Sequence, residues 1–233
     1  MALVKFGGGI IQLSGKIAGN VFARNRYGNT VRALTKPVNP NTALQQVVRG
    51  LVASLSTIWS LTLTAAQRTS WGLYGDSVDM KNRLGETVNL TGFNHFVRTN
   101  VPLLQAGGVR VDPGPVVFEL PTKDPLMTCA ISEATQVVTI VFDDTKDWVD
   151  EDGAHLMISV GSPQNPQRNF FAGPWRYAGK ISGDSETAPT TPDTTISVPF
   201  VCTELQRVWV KARIVRADGR LSEEFTANCF CGA

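Results

Sequence analysis

The chain has 233 residues, 42% of them hydrophobic and 18% charged, with a net charge of +2. That length and apolar share suit one large domain or two small ones with real cores, and exclude a collagen-like repeat, wholesale disorder and a disulfide-dense mini-protein. The small net charge conceals a split, because residues 1–75 carry eight basic side chains and no acidic one, whereas residues 76–233 carry fourteen basic and twenty acidic. A basic, glycine-rich start fits an arm lying on an acidic partner, either nucleic acid or the acidic body of a neighbouring copy. The plain alternative is a hairpin with solvated charged faces.

Residues 1–36 read as extended chain. Residues 10–17 form a possible strand, and the runs 21–26 and 30–35 are joined by Tyr27-Gly28-Asn29 as a hairpin loop. Neither face of this hairpin is convincingly apolar, so it needs a partner surface. Its candidate interface residues are Lys16, Arg24, Arg26, Tyr27 and Arg32.

Pro37-Val38-Asn39-Pro40-Asn41 punctuates the chain before a helix. Thr42-Ala43-Leu44-Gln45 fits a capping box, in which the hydroxyl takes an orphan amide while the glutamine reaches back. Leu44, Val47, Val48, Leu51, Val52, Leu55 and Trp59 then recur at helical steps over 42–60. Thr64-Ala65-Ala66-Gln67 repeats the box and opens a second helix over 65–75. Trp59, Trp71 and Tyr74 are possible interface anchors, although aromatic residues on such helices more often pack inward. The uncharged run 50–67 is the one membrane-span candidate, and its serines and threonines favour an amphipathic helix. No secretory signal or membrane association is expected.

Residues 81–90 predict a small β-hairpin, and Thr91 caps a third helix over 92–105 that contains Pro102. Ala106-Gly107-Gly108 and Asp112-Pro113-Gly114-Pro115 mark a boundary, after which the apolar period changes from 3.6 to 2. Strands are expected at 126–132, 136–142, 155–160, 175–181, 195–200, 207–215 and 223–231. Seven strands with intervening turns predict an immunoglobulin or fibronectin type III-like β-sandwich. The expected class is therefore α+β and multidomain: a basic arm (1–36), a helical domain with a small hairpin (37–107) and the sandwich (108–233).

No catalytic constellation is present. There is no Gly-x-Ser-x-Gly, the two histidines (His95 and His155) lie in separate segments, and the glycine runs lack a phosphate-loop setting. Asp143, Asp144, Asp147, Asp150, Glu151 and Asp152 could offer oxygen ligands to calcium, but their spacing is not that of an EF-hand and a solvated loop is preferred. Cys129, Cys202, Cys229 and Cys231 have no metal-binding spacing and read as free, mostly buried thiols, with a bond from Cys129 to either Cys229 or Cys231 left open. No cofactor, metal or enzyme activity is expected. Trp148, Trp175 and Tyr177 are candidate stacking rings should the sandwich bind a carbohydrate or receptor.

The run Leu13-Ser14-Gly15-Lys16-Ile17-Ala18-Gly19-Asn20-Val21-Phe22-Ala23-Arg24-Asn25-Arg26-Tyr27-Gly28 resembles a group of tailed-bacteriophage and prophage proteins. So do Pro37-Val38-Asn39-Pro40-Asn41-Thr42 with Gln45-Gln46 and Arg49, Asn82-Arg83-Leu84-Gly85, and Leu90-Thr91-Gly92 before Phe96. The resemblance extends over most of the chain and implies a fibronectin-like carboxyl domain in a virion component, as capsid decoration, neck or tail protein. The implied partners are other copies of the chain and other virion proteins, in an assembly made in the host cytoplasm. A nucleic-acid-binding protein using the arm on phosphates is the first alternative, and a carbohydrate- or receptor-binding module is the second.

Overall fold

A computed structural model describes residues 2–25, 28–82 and 84–233. The protein is α+β, with three helices and mostly β-structure among the described residues, and it divides into two compact units, Met1–His95 and Phe96–Ala233.

The first unit opens with four short antiparallel strands, β1 (Ala2–Val4), β2 (Gly15–Ile17), β3 (Asn20–Asn25) and β4 (Gly28–Ala33), in the order β1-β4-β3-β2. Helix α1 (Ala43–Leu61) starts at Thr42, whose Oγ1 accepts the Gln45 amide at 3.4 Å while Gln45 Oε1 accepts the Thr42 amide at 3.4 Å. The same reciprocal box at Thr64 and Gln67 starts α2 (Ala65–Ser77). Both helices begin where a local side chain satisfies amides that the helix itself leaves unpaired.

Strands β5 (Asp79–Lys81) and β6 (Thr87–Asn89) form the small predicted hairpin, and Thr91 Oγ1 accepts the Asn94 amide at the start of α3 (Gly92–Gln105). A Cβ at Gly92 would lie 2.5 Å from the Gly72 nitrogen, and one at Gly75 would lie 2.6 Å from the Leu90 oxygen. Only glycine permits α2 and the start of α3 to approach backbone to backbone. The core of this unit gathers Leu55, Leu63, Trp71, Tyr74, Val78 and Leu90.

The second unit is built on a seven-stranded mixed sheet of β7 (Thr128–Ser132), β8 (Val137–Val141), β9 (His155–Gly161), β10 (Trp175–Ser182), β11 (Asp193–Ser197), β12 (Arg207–Val215) and β13 (Phe225–Gly232). Its order is β10-β9-β12-β13-β7-β8-β11, antiparallel throughout except where β13 meets β7 in parallel. Val208, Val210, Ala212 and Ile214 of β12 face one core with Val138, Ile140, Leu156, Ile158 and Val160. Every strand of this sheet overlaps a segment predicted from period-2 alternation.

The predicted boundary at 107/108 differs from the observed division, which falls inside α3 between His95 and Phe96. The reason is polar: Arg98 donates to the Leu221 and Ser222 carbonyls at 2.8 and 2.9 Å, and Thr99 donates to the Gly219 carbonyl at 2.8 Å. Leu103 packs with Met157, Val215 and Leu221. These contacts bind the second half of α3 to the sheet's last hairpin. Pro102 sits within α3 without ending it.

Candidate assembly surface

In the arm sheet, directly opposed residues share a face. Lys16 lies opposite Val21, and Val21 opposite Arg32, so Lys16 and Arg32 stand in one cross-strand row. Arg24 is three residues beyond Val21 on the same strand and therefore points to the other face, where Nη1 donates to Gln12 Oε1 at 2.9 Å. The sequence grouped these three cations as one patch; the pleat divides them between two faces. Arg26 and Tyr27 lie outside the described residues.

Thr30 is the one buried residue among the described positions of the four arm strands. Lys5 reaches Glu86 at 2.7 Å, and this hydrogen bond, with one from Asn82, holds the Glu86 carboxyl below the usual range. The arm belongs to the unit that includes α1 and α2 and is not a separate body.

Along α1 the apolar stripe is covered only at its carboxyl half. Leu55 is buried and Trp59 packs edge-on against Phe93 at 5.6 Å, whereas Leu44 is 61% and Val47 53% exposed. No single helix among the described residues is long and apolar enough to cross a membrane.

Two of the three proposed anchors require correction. Trp71 and Tyr74 are 0% and 1% exposed, set edge to face at 6.0 Å, with Tyr74 against His95 at 4.9 Å. They are core residues, because α2 turns its aromatic face inward. Trp59 is half-buried.

Among the proposed stacking rings, Trp148 is also corrected, since it is 1% exposed and tilted against Phe142 inside the core. Trp175 is half-buried, edge-on to Phe171 at 5.0 Å, with the Lys211 ammonium 5.1 Å from its ring centroid. Phe171 in turn stacks on Trp209 at 5.4 Å, and Arg207 lies over both Trp209 and Phe230. The sequence missed this ladder, because Phe171 comes from a loop with no period to read. Tyr177 lines a separate cleft with Pro102, Lys211 and Glu224, and burial raises its phenol pKa.

The acidic segment 143–152 is partly committed. Asp143 accepts from Thr145 and pairs with Lys146, Glu151 and Asp147 pair with Arg216, and Asp152 holds Ser185. Asp144 and Asp150 are exposed and have no ion pair among the described residues. No group of three or more metal-ligating side chains is assembled among the described residues.

No protein-family model, curated protein or solved structure matches the chain.

Proposed function

We propose that this chain is a non-catalytic structural component of a tailed-phage particle, self-associating through its first unit and carrying an immunoglobulin or fibronectin type III-like module in its second. The observation that carries this reading is the set of apolar side chains that α1 leaves in water, Leu44, Val47 and Val52, with Val48 and Leu51 only half-buried, together with an arm sheet that buries almost nothing of its own. A folded chain that leaves such surface in water gains by covering it with another chain.

The occupant is a second copy. Residues 1–75 contain no acidic side chain, and the exposed Asp144 and Asp150 of the second unit offer the complementary charge. Basic first unit on acidic loop is a head-to-tail contact, which closes into rings or extends into filaments. The resemblance to phage proteins over the arm and helix motifs supports the same setting.

Light scattering on the full chain tests this reading at low and high salt, alongside a Leu44→Asp/Val47→Asp variant. A defined oligomer that the variant reduces to monomer supports it. A monomer under all conditions overturns it. Nucleic acid retained by the full chain, with affinity falling log-linearly with salt, transfers the arm to phosphates.

A further inference from the structure

The four cysteines are free thiols, and the fold sorts them into two pairs. Cys202 and Cys231 are buried with their sulfurs 3.2 Å apart. Backbone bonds hold them there: the Cys231 amide donates to Gln206 O at 2.8 Å, and Leu205 N donates to Cys231 O at 2.9 Å. The second pair follows from register. Cys231 lies opposite Ile131 where β13 runs parallel to β7, so stepping back two residues on each strand sets Cys229 opposite Cys129. The two thiols are close enough to shift each other, Cys229 below the ordinary thiol range and Cys129 above it, and both are half-buried against the same core.

We propose that the chain is a two-disulfide protein under oxidising conditions, with the connectivity Cys129–Cys229 and Cys202–Cys231. Four cysteines allow three complete pairings, and this is the one whose sulfurs the fold already brings together. Adjacent strands lie about 4.8 Å apart, within the reach of a disulfide between opposed residues. The i, i+2 neighbours Cys229 and Cys231 each bond to a different partner, so β13 is stapled on two sides at once.

Each bond forms by exchange with a small disulfide such as glutathione disulfide. One cysteine thiolate attacks a glutathione sulfur and expels one glutathione thiolate. The second cysteine of the pair, as its thiolate, then attacks the mixed disulfide at the protein sulfur and expels the other. The pair loses two electrons and two protons, and glutathione disulfide becomes two glutathione molecules. The half-buried Cys129–Cys229 pair reacts first: although Cys129 is itself pushed well up, it holds the Cys229 thiol below the ordinary range, so Cys229 supplies the attacking thiolate. The Cys202–Cys231 pair follows more slowly, because burial and the neighbouring Cys202 thiol push the Cys231 pKa up to about 12, leaving little thiolate.

The test equilibrates the reduced full-length protein across a series of glutathione redox buffers, quenches with an alkylating agent and reads intact mass and non-reduced peptide maps. Cleavage after Phe230 separates Cys229 from Cys231 and makes the assignment unambiguous. Two successive losses of two hydrogens are expected, with Cys129 joined to Cys229 before Cys202 joins Cys231. The oxidised protein unfolds at higher urea than the reduced one. A Cys202→Ser variant retains the Cys129–Cys229 bond as its own control. Any crossed pairing, four alkylatable thiols throughout the series, or stable glutathione adducts in place of protein disulfides overturns the proposal.

Discussion

Gln136 and Cys202 exchange two hydrogen bonds, side chain to backbone: Gln136 Nε2 donates to the Cys202 carbonyl at 2.8 Å, and Gln136 Oε1 accepts the Cys202 amide at 3.0 Å. One amide side chain thereby stands in for a neighbouring strand at Cys202, pairing both of its backbone polar groups. Gln136 does this from a left-handed backbone, φ +53°, where side chains are rarely placed.

Gln136→Ala is expected to cost about 1–3 kcal/mol, the usual penalty for stranding buried backbone groups. Gln136→Gly removes the same bonds but relieves the left-handed backbone, so it should recover about 1 kcal/mol relative to alanine. Urea denaturation of the two variants checks the order. Equal stability of wild type and Gln136→Ala would dismiss the contact as incidental.

Glycines of the first unit should respond with opposite signs. Gly92→Ala forces a Cβ to within 2.5 Å of the Gly72 nitrogen, and overpacking of this kind costs about 1–3 kcal/mol. Gly72→Ala meets nothing within 4 Å and lies inside α2, so it should stabilise by about 0.5–1 kcal/mol. Thermal melts of both variants measure this directly.

His155 makes stability depend on pH. Burial, with the Lys180 ammonium nearby, lowers its pKa below the ordinary 6.5. A depressed folded value favours the neutral ring, so the stabilisation is fully present above about pH 6.5 and is lost as pH falls through the folded value. Urea midpoints of wild type should drop across that window more steeply than those of His155→Gln. Parallel profiles would remove His155 as the cause.

Ion pairs should divide by environment. Glu151 pairs with Arg216 and also accepts the Ala217 amide at 3.1 Å, with the Arg216 and Glu151 side chains 17% and 25% exposed. Glu151→Ala is expected to destabilise by about 1–3 kcal/mol and to respond weakly to salt. Lys5→Ala, at the exposed pair with Glu86, should leave the melting temperature unchanged. Melting curves at two ionic strengths separate the cases.

What the sequence reveals follows from how local each signal is. Both capping boxes, the 92–105 helix and the 207–215 strand are legible because their determinants lie within a few residues of one another. Strand β1 is not, since three residues become a strand only by pairing with β4. The burial of Trp71, Tyr74 and Trp148 is equally hidden: periodicity shows that aromatic residues share a face, not whether that face is covered. The thiol pairing depends on a parallel register between segments about 100 residues apart, which no local pattern encodes.

The parallel strand β13 stands fourth of seven in the sheet although it follows the other six in the chain. Its flanks, β10-β9-β12 on one side and β7-β8-β11 on the other, have no direct bond to each other across that gap. During synthesis both flanks emerge with an edge still open, and they wait for residues 225–232 to leave the ribosome before the sheet becomes continuous. The second unit is thus completed from its centre, by a keystone laid late.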